Sequence, residues 1–123
     1  MEIINKKSVS IRNNNARSLQ RRYVAVDDVR LYFTAALVRD FDINVGEYMH
    51  FMNEGSKWQF FMNDDNDGFL ITKITSKGGV NVTNSALCRL IQKSTGYTTQ
   101  KNYEVVRTGF LHDNCPVFEI ITT

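Results

Sequence analysis

The stretch FTAALVRDFDINVGEYMHF, residues 33–51, decides the fold. It reads as the end of a strand, a short capped helix, a glycine turn and a new strand. Just before it, Val29, Leu31 and Phe33 alternate with Arg30 and Tyr32, the period of a strand with one buried face. Thr34 suits the N-cap of a helix beginning at Ala35, because a threonine hydroxyl accepts an early backbone N–H. Leu37 and Phe41 stand four apart and so share that helix's buried face. Gly46 falls where the chain must turn, since glycine takes a positive φ without steric penalty.

Downstream, apolar runs at 48–52 and 57–62 flank Asn53-Glu54-Gly55-Ser56, which predicts a β-hairpin. Residues 63–68, NDDNDG, form a loop, and 69–74 reads as a strand ended by Ser76-Lys77-Gly78-Gly79. Upstream, 23–26 is a β-prone run and Asp27-Asp28 a turn. From Val80 the grammar restarts. Val80 and Val82 alternate, Thr83 or Asn84 caps a helix over about 85–93, and Gly96 ends it. Strands at 103–107 and 117–121 follow, with residues 109–116 between them.

A shift of fifty residues lays Ala36-Leu37-Val38-Arg39 on Ala86-Leu87-Cys88-Arg89, Thr34 on Asn84 and Gly46 on Gly96. Recurrence of cap, helix, glycine and strands in one order indicates two structural repeats, about 23–75 and 76–123. Two such units in one chain imply an internal pseudo-dimer. The expected fold class is therefore α+β, mostly β: two strand–helix–β-hairpin units in one compact domain (23–123), preceded by a basic N-terminal arm (1–22).

Residues 33–48 resemble the AbrB/MazE/SpoVT swapped-hairpin module. That family shows an apolar strand end, a short helix, an apolar residue, two spacers, then Gly-Asp before an outgoing strand. Here Ile43 precedes Asn44-Val45-Gly46-Glu47 without a gap. The resemblance covers about 25 residues, and the second copy follows it less closely between Leu90 and Thr95. Thr34 stands where the family usually has Pro, and Val38 where it often has Arg, with Arg39 one position later. The resemblance implies a dimeric DNA-binding regulator or antitoxin.

Charge is unevenly spread. Residues 1–22 carry six basic side chains against Glu2 alone, a balance of +5, whereas 23–123 carry nine basic and twelve acidic ones, a balance of −3. Basic arms meet nucleic acid or acidic surfaces. Lys6, Lys7, Arg12, Arg17, Arg21, Arg22 and nearby Arg30 are thus the candidate phosphate contacts, with Arg39, Lys57 and Arg89 added from the body. Lys57-Trp58, with neighbouring aromatics, is a candidate platform for unpaired bases, although alternation also places Trp58 and Phe60 together on one face as core.

Other chemistry finds little footing. The loop at 63–68 mimics the start of a calcium loop, but Ile74 stands where the closing glutamate belongs. His50, Cys88, His112 and Cys115 form no paired metal motif, so no metal or cofactor is expected. There is no nucleophile elbow, phosphate loop or zinc-protease motif, and the two histidines stand in no catalytic spacing. No apolar run reaches membrane-spanning length. The opening residues lack a secretory core, and with two cysteines this suggests reduced thiols in a cytoplasm. The sequence therefore predicts a non-enzymatic nucleic-acid-binding protein that forms a homo-oligomer. The alternatives are an interaction subunit that oligomerises through its arm, and a single-strand binder using exposed aromatics.

Overall fold

In the computed structural model, residues 21–97 and 100–122 are described. Lys6, Lys7, Arg12 and Arg17, and most of the basic arm, lie outside them.

Alternation sets the strands. In β2 (Arg30–Phe33), Leu31 and Phe33 are fully buried while Arg30 is exposed. The same one-sided pattern marks β1 (Tyr23–Val26), through Val24 and Val26, and β6 (Val80–Thr83), through Val80 and Val82. The chain runs β1, β2, α1 (Ala35–Asp40), β3 (Tyr48–Glu54), β4 (Lys57–Asn63). It then runs β5 (Phe69–Leu70), β6, α2 (Ser85–Thr95), β7 (Lys101–His112), β8 (Cys115–Ile120). The order strand–strand–helix–strand–strand thus occurs twice.

All eight strands join one antiparallel sheet in the order β5-β3-β4-β8-β7-β1-β2-β6. Strands β2 and β4 lie four steps apart, about 19 Å on a flat sheet. Yet the rings of Phe33 and Phe60 meet edge to face at 5.4 Å. The sheet therefore curls until its inner faces meet around a single core, and β5 and β6 are left as edges joined by residues 71–79. The helices complete this core: α1 buries Ala36, Leu37 and Val38, and α2 buries Leu87, Cys88 and Ile91. Gln92, the buried polar residue of α2, donates to Asp28 Oδ1 at 3.1 Å and so ties the helix to the β1–β2 turn.

The two helix starts differ. Asn84 caps α2 with its side chain, accepting from Leu87 N at 2.9 Å. Thr34 occupies the N-cap of α1 but makes no side-chain cap. Its hydroxyl instead donates to the Arg21 carbonyl at 2.8 Å and accepts from Tyr23 N at 3.3 Å, fastening the chain entering β1. The strand expected over 69–74 shortens to β5, because Ile71 closes its bonds to Glu47 and Gly46 and Ile74 then points to solvent. The last hairpin is longer than expected. Asp113 and Asn114, at φ 50° and 67°, make its two-residue turn, the conformation such turns require and Asn and Asp tolerate. A register shift between Arg107 and Leu111, with Gly109 at φ 83°, bulges β7 just before that tip. No helix among the described residues is long and apolar enough to cross a membrane.

Candidate nucleic-acid interface

The end of α1 gathers three arginines. Arg22 Nη1 lies 3.4 Å from Asp40 Oδ2, and Arg39 Nε lies 3.2 Å from Asp40 Oδ1. Arg107, from β7, donates to the Asp40 carbonyl oxygen. Beneath them sits Phe41, stacked on Phe118 at 4.1 Å between centroids. The guanidinium carbons of Arg107 and Arg22 lie 5.1 and 5.7 Å from the Phe41 centroid, within cation–π reach. Two guanidiniums therefore meet one carboxylate, and a third meets the same residue's backbone carbonyl. The Arg22 and Arg39 side chains keep 45% and 59% exposure, so much of each fork still faces solvent. Arginine forks match phosphate oxygens in geometry as well as charge.

The second feature is the outer face of β7-β1-β2-β6. Asn102 pairs with Ala25, Ala25 with Tyr32, and Tyr32 with Asn81, so these four residues stand in one row across four strands. At one side a recess of about 300 Å³ is lined by Arg21, Arg22, Tyr23, Asn102 and Glu104. At the other a shallow groove of about 380 Å³ is lined by Arg30, Tyr32, Lys77 and Asn81 with Thr75 and Ser76. Arg30 is fixed at its lip by Asp27. The Asp27 carboxylate accepts from Val29 N at 2.9 Å and Arg30 N at 2.8 Å, and its other oxygen lies 3.7 Å from Arg30 Nε. Those backbone bonds hold its carboxyl below the ordinary 3.8 against an opposing effect of burial, with a lesser contribution from the Arg30 charge. Gly79 lies against Tyr32, since a Cβ there would fall 2.3 Å from the Tyr32 hydroxyl.

The residues expected from sequence are dispersed. Arg21 and Arg22 meet at the first recess, Arg30 lines the second, and Arg22 and Arg39 share Asp40. Lys57 is exposed at the β3–β4 turn and Arg89 on α2, apart from these groups. Trp58 is 4% exposed and directs its indole N–H to Ser94 Oγ, so its ring belongs to the core. Sequence reasoning missed Arg107, Lys77 and Tyr32. Arg107 sits in an apolar run without any motif, and it reaches Phe41 only through the β7–β8 register. The acidic loop at 63–68 folds onto itself, Asn63 accepting from Asp65 N and Asp65 from Asp67 N. In comparisons with protein-family models, curated proteins and solved structures, nothing matches this chain.

Proposed function

We propose that this chain is a non-enzymatic nucleic-acid-binding protein made of two AbrB-like units fused as an internal pseudo-dimer. Convergence of Arg22, Arg39 and Arg107 on Asp40, the first two on its carboxylate and the third on its backbone carbonyl, supports the binding reading. It leaves excess positive charge with free N–H donors, the means by which proteins hold phosphates without reading bases. The sequence of the basic arm carries further positive charge at Lys6, Lys7, Arg12 and Arg17. What supports the duplication is connectivity. A twofold relation that exchanges β1 with β5, β2 with β6, β3 with β7 and β4 with β8 maps six of the seven strand pairings onto pairings of the same sheet, with β4 beside β8 and β2 beside β6; the exception is β1–β2, whose counterpart β5–β6 is the open edge.

The test is a titration of labelled duplex and single-stranded DNA at two salt concentrations. Binding should weaken steeply with salt. Arg22→Gln, Arg39→Gln and Arg107→Gln should each weaken it and lower the log–log salt slope by about one. Absence of binding at low salt overturns the reading. An unchanged slope after deletion of residues 1–20 removes the arm from it.

A second reading, a self-associating subunit, has one observation in its favour. Phe110 and Leu111 are 72% and 64% exposed at the tip of the β7–β8 hairpin, and adjacent large apolar side chains in water favour burial against a partner. Light scattering decides it: a monomer whose state is unchanged by Phe110→Ser removes this reading.

A further inference from the structure

We infer that the outer face of β7-β1-β2-β6 is a track for unpaired nucleic acid, with Tyr97, Tyr23 and Tyr32 as successive stacking positions. This rests on the nucleic-acid reading above and specifies the form of the ligand.

Three recesses lie along this face, and each joins a tyrosine to a cation. In the first, of about 270 Å³, Lys101 Nζ stands 4.5 Å from the centroid of Tyr97, which is 44% exposed. In the second, the Arg21 guanidinium carbon lies 5.8 Å from the Tyr23 ring. In the third, Tyr32 is flanked by Arg30 and Lys77. Asn102 and Glu104 line both the first and the second recess, so those two adjoin. Ala25 stands between Asn102 and Tyr32 in the cross-strand row and raises no side-chain wall between the second and the third.

The spacing selects an unpaired strand. Tyr32 is opposite Ala25, and Tyr23 is two residues further along the same face of β1. Such diagonal neighbours begin about 7 Å apart. Bases in one strand of a duplex step by about 3.4 Å, so successive bases on Tyr23 and Tyr32 must be unstacked from each other. Charge is complementary as well. Lys101 lines the first recess, Arg21 the second, and Arg30 and Lys77 the third, and Glu104 and Asp27 oppose them, the latter already engaged by Arg30. Aromatic stacking with cations on the backbone side is the general physics of single-strand binding.

The experiment is fluorescence anisotropy with labelled oligothymidylate and with its blunt duplex on oligoadenylate. The full chain should prefer the single strand. Tyr97→Leu and Tyr23→Leu should each weaken single-strand binding about tenfold and leave the duplex unaffected, whereas Tyr97→Phe should bind normally. Arg39→Gln should weaken both ligands. Equal or tighter duplex binding, or full single-strand affinity in both leucine variants, overturns the track while leaving the phosphate reading in place. Failure of both ligands to bind at low salt overturns the two together. Tyr97 is exposed, so its variants test the track without disturbing the core.

Discussion

Trp58 Nε1 donates to Ser94 Oγ at 2.8 Å, and Ser94 Oγ donates in turn to the Gly55 carbonyl at 3.1 Å. One hydroxyl thereby joins the last turn of α2 to β4 and to the β3–β4 turn. The indole is almost wholly buried, and a buried indole N–H needs a partner. Ser94→Ala should leave that N–H unpaired and lower stability by about 1–2 kcal/mol. Urea denaturation followed by tryptophan fluorescence measures it. An unchanged midpoint would mean that water replaces the hydroxyl without loss.

Asp27 gives the fold an acid-sensitive element. Its carboxylate is stabilised chiefly by the Val29 N–H, then by the Arg30 N–H. Its folded pKa therefore lies below the unfolded value of 3.8. The stabilisation is present above that value and is lost as pH falls through the lower folded one. Asp27→Asn retains an acceptor for both N–H groups but cannot titrate. Its denaturation midpoint should fall less steeply than that of the parent chain over the same acid range, as circular dichroism would record.

Much of this architecture is legible in the sequence because periodicity reports burial. Leu31 to Phe33, the helix at Ala35 and the hairpin around Gly55 all follow from local pattern and turn chemistry, whereas Val29, which continues the alternation, lies in the β1–β2 turn and is 51% exposed. The order of elements after Val80 is equally readable. What is not legible depends on long-range register. Thr34 has a capping residue's identity, yet the chain entering β1 claims its hydroxyl. The 109–116 segment contains Gly and Pro, so it resembles a loop, but Asp113-Asn114 alone makes the turn and β7 and β8 extend on both sides. The candidate site shows the same division. Arg22 and Arg39 are visible as charges, but their meeting at Asp40 and the arrival of Arg107 depend on the pairing of β1 with β7 and β7 with β8. The row Asn102–Ala25–Tyr32–Asn81 draws on four strands that no local pattern brings together.

The two cysteines should react very differently. Cys88 is fully buried in α2, and burial above all, with the nearby Asp27 and Asp28 charges, pushes its thiol from 9.0 up to about 11. Cys115 lies at the hairpin tip and is partly exposed. A thiol reagent at neutral pH should label Cys115 promptly and Cys88 only on unfolding, so Cys115→Ser should abolish the fast phase. The same shift makes the fold less stable in alkali. Cys88 contributes a stabilisation that is full below 9.0 and is lost as pH rises toward about 11, because the unfolded thiol ionises first. Cys88→Ala should remove that alkaline slope while opening a cavity that costs stability at every pH.

The interleaving of the two halves makes a stronger demand on the fold than any single side chain. β1 of the first half pairs with β7 of the second through Tyr23–Val26 and Lys101–Glu104, and β4 pairs with β8 through Trp58–Phe60 and Phe118–Ile120. β2 pairs with β6 as well. Cutting the chain between exposed Ser76 and Lys77 should therefore yield fragments 1–76 and 77–123 that do not unfold cooperatively alone. Each would leave strand edges and half a core in water. Mixed, they should recover a cooperative transition and the parent circular dichroism spectrum as a one-to-one complex. A duplicated module makes one further demand. If the units are duplicated as proposed, fragment 1–76 carries a counterpart of every strand it has lost, and at high concentration it should self-associate as a dimer in which a second β3 takes the place of β7. Analytical ultracentrifugation separates the outcomes. A monomeric, folded 1–76 would refute the interdependence of the halves, and an unfolded 1–76 that never dimerises would argue against the duplication.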